Sequence, residues 1–406
     1  MSKEADEESK IAKVGRSGGP YRRTSRYASK GQRGAYQNNS GGQSSNPNFQ
    51  PSRGNGNFQR SGSVSFLLAS FLESGKKYPP VGGRLLRFVS AWRSVSHDPF
   101  ILEAVSYGMT IDFVDTPYQQ NIPPNCAMSK EMEQACDLEI SELLTKHAIV
   151  PVLDSPAGFY SSIFLVPKKK GGFRPIINLK RLNSFVRCEH FKLESIESVR
   201  HLIRQGDWMV KLDLKDAYLS VPIHVDHQHY LRFSWRGFRY QFTCLPFGLS
   251  PASRLFTKLL KPVVAALRRL GIRLVIYLDL IILSDSKEGA LRDLDITVGL
   301  LTSLGFLVNW DKSVLDPSRS IEFLGLLLDS VSLSLALPPE KVSSLLSLCR
   351  RALDKGFVSL HDLSSLLGSF SWAIPTVPFA QAHYRNLQSF FISRSKCGDL
   401  SKVVVL

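Results

Sequence analysis

Paired cysteines, long apolar runs and, over much of the N-terminal part, negative charge are all missing from this chain. The six cysteines, Cys126, Cys136, Cys188, Cys244, Cys349 and Cys397, are scattered and form no Cys-x-x-Cys pair. That pattern argues against a zinc finger and against a small disulfide framework. Reduced thiols in an intracellular protein are the simpler reading, with cytoplasm and nucleus both open. The apolar run around Phe66 to Leu72 is far shorter than the ~20 residues a membrane span needs, and Met1 to Lys10 mixes charges without an apolar stretch, unlike a secretory signal. No acidic residue lies between Glu8 and Glu73. Over the same stretch Arg16, Arg22, Arg23, Arg26, Lys30, Arg33, Arg53 and Arg60 are interleaved with Tyr21, Tyr27, Tyr36, Phe49 and Phe58.

What is present is a net charge of +16 over 406 residues, with 43% hydrophobic residues. The length allows one large core or two to three domains. The charge favours a polyanionic partner, because each cation that neutralises a phosphate releases counterions. A merely solvated basic protein and one that meets acidic membranes are the alternatives. Residues 1–63 are rich in Gly, Ser, Asn, Gln and Arg and bury too little to offset ordering entropy, so they are expected to be disordered. Arginine with interleaved aromatics suits loose contact with single-stranded RNA; a solvated tail without a specific role is the bland reading.

Residues 64–125 form an N-terminal extension without a usable motif. Ser129 caps an expected helix whose apolar stripe is Met132, Cys136, Ile140, Leu143 and Leu144. Ser161 to Val166 reads as a strand, followed by the basic turn Lys168-Lys169-Lys170-Gly171-Gly172. Strands and helices alternate from Trp208 to about Leu328. Two helical patterns follow, one from Pro339 to Gly356 and one capped by Ser359 and Asp362.

Two carboxylates carry the chemistry. The short apolar strand Trp208-Met209-Val210-Lys211-Leu212 runs into Asp213, with Asp216, Ala217 and Tyr218 just beyond. A strand end can hold a carboxylate rigidly enough to ligate a metal, although strand-terminal Asp is also common in turns. The second, Asp279, sits between Leu274-Val275-Ile276-Tyr277-Leu278 and Leu280-Ile281-Ile282-Leu283, a pattern of two strands joined by a tight turn. Between them lies Cys244-Leu245-Pro246-Phe247-Gly248-Leu249-Ser250-Pro251, running into a helix from about Ala252 to Leu260. Pro167 to Ile176 lies upstream; Leu304 to Ser313 and Glu322-Phe323-Leu324-Gly325 lie downstream. His224, His227 and His229 with Asp226 are too loosely spaced to read as a zinc centre.

This co-linear set resembles the reverse-transcriptase family over roughly residues 126–330, with similarity continuing to about 391. The runs Phe164 to Asn183, Gly206 to His224 and Phe242 to Lys261 are most similar to DIRS-type retrotransposon polymerases. The resemblance implies an α+β right-hand fold: fingers and palm over 126–330, a helical thumb or connection over 331–395, and a tail over 396–406. It implies that Asp213 and Asp279, with the Leu214 carbonyl close by, hold two Mg²⁺ ions. It also implies that Lys168 or Lys169 and Arg174 reach the triphosphate, with Asp216 and Ala217 at the nucleotide. Tyr218 becomes a steric gate beneath the sugar, Phe247 and Gly248 line the nucleotide pocket, Lys312 is a general acid toward pyrophosphate, and Phe323 to Gly325 grip the primer. The implied partners are an RNA template, a DNA or RNA primer and deoxynucleoside triphosphates. A structural role is the alternative for each residue, above all for Lys168 and Lys312.

The chain departs from the family at Leu280, where the usual form has a second aspartate. Loss of that carboxylate is expected to reduce polymerase activity severely. Asp285 is six residues on, about 20 Å along an extended strand, and too far to substitute. Three readings stand: an impaired retrotransposon-type RNA-directed DNA polymerase, a non-catalytic protein that grips RNA or an RNA–DNA hybrid, and, more weakly, a template-independent or RNA-directed RNA polymerase, against which Tyr218 speaks. The apolar ending Val403 to Leu406 and the lack of a recognisable RNase H segment fit a truncated copy.

Overall fold

The structure is a computed structural model that describes residues 80–152, 157–167, 172–277, 279–395 and 401–405. The basic tail, Lys168, Lys169 and the Arg174 side chain lie outside the described residues.

The apolar run around Asp279 forms two antiparallel strands, Arg273–Tyr277 and Asp279–Ser284. They are half of a four-stranded antiparallel sheet in the order Val314–Ser318, Trp208–Leu212, Asp279–Ser284, Arg273–Tyr277. Successive side chains of a strand point to opposite faces. Val210, Leu212, Leu274, Ile276, Leu280 and Ile282 therefore join the main core, while Met209, Val275, Ile281 and Leu283 join a second one. Both faces of the sheet are covered, which is why these strands read as continuous apolar runs rather than alternating ones. The helices Ala252–Arg269 and Lys287–Ser303 supply the main-core cover, through Leu255, Leu259 and Leu267 of the first and Ala290, Leu294 and Leu301 of the second.

A second four-stranded sheet, in the order Ile149–Pro151, Phe238–Phe242, Arg232–Trp235, Tyr160–Ser161, draws two strands from before Asp213 and two from between Asp213 and Asp279, and the hairpin Ile163–Pro167 and Phe173–Ile177 lies before Asp213. The expected strand from Ser161 to Val166 is divided between the two sheets: Tyr160 and Ser161 pair in parallel with Arg232 and Phe233, whereas Ile163 onward pairs with the hairpin partner. Helix Lys130–Thr145 is capped by Ser129, as its sequence implies, and buries Cys136 and Ile140.

Helices Val89–Val95 and Pro99–Tyr107, in the stretch without a sequence motif, are part of the main core. Fully buried Trp92 donates to the Leu304 carbonyl at 3.0 Å, and Arg84 donates to that of Gly305 at 2.9 Å. These anchors join segments more than two hundred residues apart, so no local pattern announces them.

The strands Ser320–Phe323, Leu326–Asp329 and Ser334–Ala336 cover the second core. The C-terminal helices Pro339–Lys355, Leu360–Ala373 and Ala380–Arg394 follow; Gly356 ends the first with φ +65, and Ser359 caps the second by accepting from the Asp362 amide. Among the described residues no helix is long and apolar enough to cross a membrane.

One buried ion pair locks the far end of the central sheet. Asp207, 1% exposed, accepts both Arg273 guanidinium nitrogens at 2.6 and 2.7 Å and the Arg204 amide at 2.7 Å. Asp207→Ala leaves that guanidinium without its partner and is expected to cost about 3–5 kcal/mol. Urea denaturation checks this; a change below about 1 kcal/mol would show the pair to be energetically idle.

Candidate active site

Asp213 leaves the central strand at its C-terminal end, and the turn Asn309 to Ser313 fixes its backbone. The Asp213 amide donates to Ser313 Oγ at 3.0 Å, and its carbonyl accepts from the Asn309 amide at 2.8 Å. Lys312 ends the single helical turn Trp310–Lys312 within that segment and is thereby carried to the carboxylates. Asp279 opens the next strand, opposite Tyr277, and the register Leu280 to Leu212 brings it alongside Asp213.

The two carboxyl groups lie within hydrogen-bonding reach of each other. Burial, and then the neighbouring Asp213 carboxylate, push Asp279 up to about 6, against the pull of Lys211 and Lys312. Two acids forced together in a half-buried site are relieved by a cation. An all-oxygen donor pair suits a hard divalent ion such as Mg²⁺, so the residues fit the metal that the resemblance implies. Among the described residues no group of three or more His, Cys, Asp or Glu side chains is placed to hold a metal. The pair can thus supply two side-chain ligands, leaving the remaining positions to backbone, water or substrate.

The raised pKa has a testable sign. Asp279 holds its proton to a higher pH folded than unfolded, so its contribution to stability is present below the unfolded value and is lost as pH rises through about 6. A cation must displace that proton. Mg²⁺ affinity is therefore expected to fall by up to about tenfold per pH unit below 6. Isothermal titration at pH 5 and 7.5 measures it, and equal affinities would remove Asp279 as a ligand.

Leu280 is 1% exposed and lies across from Leu212 and Ile276 in the main core, on the opposite face of its strand from Ile281 and Leu283. The residue in the place of the family's second aspartate is thus a packed core side chain. Asp285 lies toward the opposite end of this strand, near Arg273, and is no substitute.

The other expected residues that the structure describes make these contacts. Asp216 has left-handed backbone, φ +51, and its carboxylate accepts from Lys146 Nζ at 3.1 Å. Burial works against the Lys146 charge, but its bonds to Glu142 and Asp216 outweigh that, and its pKa stands above the usual lysine value. Ala217 packs against the main core, and Leu214 pairs with Val308 in a two-stranded ribbon. Tyr218 is 8% exposed; its ring lies 5.3 Å from that of Phe247 and 5.2 Å from that of Phe256, and its hydroxyl bonds Ser253 Oγ at 2.9 Å. Burial pushes the phenol above its usual range, so the ring stays neutral. Half-exposed Phe247 precedes Gly248, where φ is +98 and a Cβ would stand 3.3 Å from the Ile177 carbonyl. Asn183 splints this loop: its amide donates to the Gly248 carbonyl and accepts from the Ser250 amide, both at 2.9 Å.

Asn183, Ser253 and Lys146 are not among the expected site residues. Asn183 ends the run Phe164 to Asn183, but only the fold shows that it faces the loop. His227 accepts from the Ile111 amide and His224 from the Asp226 amide, which makes them structural acceptors.

The sequence pattern of the family described as reverse transcriptase (RNA-dependent DNA polymerase) matches residues 166–328. The retrovirus-related Pol polyprotein from transposon opus of Drosophila melanogaster is 26% identical over 218 residues, 52% of this chain and 21% of that protein. The Gag-Pol polyprotein of walleye dermal sarcoma virus is 29% identical over 185 residues, 44% of this chain and 10% of that protein. The chain thus spans about a fifth or less of these relatives' length. Among solved structures, the foamy viral protease-reverse transcriptase in complex with RNA/DNA hybrid superposes with a TM-score of 0.58 at 21% identity, over 70% of this chain and 36% of that one. The same protein in complex with dsDNA gives 0.58, over 70% and 57%. At such identity the likeness establishes the α+β fold of a retroviral polymerase domain.

Proposed function

We propose that this chain, whose residues 166–328 match the sequence pattern of the reverse-transcriptase family, is a retrotransposon-type RNA-directed DNA polymerase domain of reduced activity. The observation that carries the reading is the Asp213–Asp279 pair at the hairpin tip, with Asp279 pushed up to about 6. In this reading 126–330 are fingers and palm, 331–395 the thumb or connection, and the closer likeness is to DIRS-type enzymes.

Asp213 and Asp279, with the Leu214 carbonyl, would hold two Mg²⁺ ions. When bound, these ions supply activation of the primer 3′-hydroxyl and stabilisation of the departing pyrophosphate. The chain's own residues do the rest. Lys168 or Lys169 and Arg174 neutralise the triphosphate, and Asp216 and Ala217 border it. The Tyr218 ring lies against Phe247 and Phe256 and is tied to Ser253; beneath the sugar it would crowd a 2′-hydroxyl. Phe247 and Gly248 line the nucleotide pocket. Lys312 Nζ, carried on the turn bonded to Asp213, donates a proton to the leaving pyrophosphate.

Leu280 favours a second reading, a scaffold that grips RNA or an RNA–DNA hybrid without extending it. Primer extension on an RNA template with deoxynucleotides separates the two: template-directed, Mg²⁺-dependent products support the polymerase, and their absence at long times leaves the binder. Both readings predict hybrid binding whose log affinity falls linearly with log salt, with a slope of about −0.7 to −0.9 per neutralised phosphate. A salt-independent affinity in filter binding would contradict both.

A further inference from the structure

The turn joining strands Ser320–Phe323 and Leu326–Asp329 contains only Leu324 and Gly325, because Phe323 pairs with Leu326. Both residues have left-handed backbone, φ +51 and +74. Glycine adopts this freely. Leucine does not, and a strained residue persists only where its surroundings over-determine it.

Those surroundings come from the C-terminal helices. Lys341, in the first turn of helix Pro339–Lys355, donates from Nζ to the Gly325 carbonyl at 2.8 Å. The same ammonium lies 3.6 Å from the centre of the Trp372 ring, on helix Leu360–Ala373. The fit is close: a Cβ at Gly325 would collide with Lys341 Nζ and stand 2.9 Å from Trp372 Cζ2. On the other side, Lys211 of the central strand donates to the Glu322 carbonyl at 3.2 Å. Lys211 also acts on the Asp279 charge. The segment Glu322 to Gly325 is therefore tied at one end to the carboxylate site and at the other to the C-terminal helices. Arg200 fixes those helices a second time, through the Pro375 carbonyl at 2.6 Å.

We propose that Lys341, with Trp372 as its platform, is a positioning residue that holds the Leu324–Gly325 turn in the shape that seats a primer strand over Asp213 and Asp279. This rests on the polymerase reading, in which Phe323 to Gly325 grip the primer. Lys341 directs its charge to a carbonyl and a ring, so it acts through the turn rather than by neutralising a phosphate.

The test compares the full chain with Lys341→Met and Lys341→Arg. Each is titrated with an RNA–DNA hybrid bearing a recessed primer 3′ end and with single-stranded RNA, across a salt series, alongside thermal melting. Lys341→Met is expected to weaken hybrid binding about tenfold, leaving single-strand binding, the salt slope and the melting temperature near the parent's. Lys341→Arg, which keeps a cation over the Trp372 ring and a donor for the Gly325 carbonyl, is expected to bind the hybrid more tightly than Lys341→Met. A salt slope lowered by about one unit would make Lys341 a phosphate contact and overturn the proposal. So would a Lys341→Met protein that binds the hybrid like a discriminating parent, or equal weakening of both ligands. A parent that does not prefer the hybrid to single-stranded RNA would instead remove the polymerase reading, and this inference with it.

Discussion

Asp279→Asn is expected to lower primer extension by about 10³-fold, because it removes one of two ionised ligands from a preorganised site. Asp213→Asn is expected to do the same, and the double variant to be little worse than either. Groups that act as a unit lose their function together, so their effects do not add. The geometry behind this is the shared position of the pair, within hydrogen-bonding reach and pressed together enough to push one acid up to about 6. The amide is nearly isosteric and uncharged, and it relieves the repulsion. Both single variants are therefore expected to melt at or above the parent in the absence of metal and to lose the upward shift that Mg²⁺ gives it. A variant that extends primers at the parent's rate would show that the pair holds no essential ion. So would one that keeps the parent's Mg²⁺ shift.

Leu280→Asp has two consequences of opposite sign. Leu280 is 1% exposed among Leu212 and Ile276, so a carboxylate there is an uncompensated buried charge costing on the order of 3–5 kcal/mol without metal. It is also the second residue of its strand, next to Asp279 at the rim of the site. Divalent cations held at Asp279 would attract a negative charge placed beside it. The new acid is thus expected to raise extension at least tenfold, up to the roughly 10²–10³ that a lost electrostatic stabiliser is worth. Mg²⁺ is expected to recover part of the lost melting temperature. If the variant is destabilised, unmoved by Mg²⁺ and no faster, a carboxylate at this position does not serve the metals, and Leu280 is a core residue alone.

The elements with local signatures were legible before the fold was known. Ser129 and its stripe, Pro339 to Gly356, the Ser359 cap, and the hairpin around Asp279 all lie where their caps and periodicities put them. Asp213 and Asp279 come together because strand order and register make them neighbours. The illegible parts depend on distant partners. Trp92 and Arg84 bond carbonyls more than two hundred residues away, and Asn183 reaches the loop at Gly248. Face is the subtler case. In the sequence Leu280 is simply the residue after Asp279; only pairing with Leu212 and Ile276 shows that it is turned into the core. A continuous apolar run hides which face each residue takes, because both faces are buried.

The measurement that bears most directly on the polymerase reading is a Mg²⁺ titration of DNA-primer extension on an RNA template with the parent, Leu280→Asp, and Leu280→Asp combined with Asp279→Asn. The expected result is slow, Mg²⁺-dependent extension by the parent, a gain of at least about tenfold in the first variant, and loss to background in the second. Extension that survives Asp279→Asn, or no templated product from any of the three at saturating Mg²⁺, would contradict the assignment of Asp213 and Asp279 as the centre of a nucleotide-transferring site.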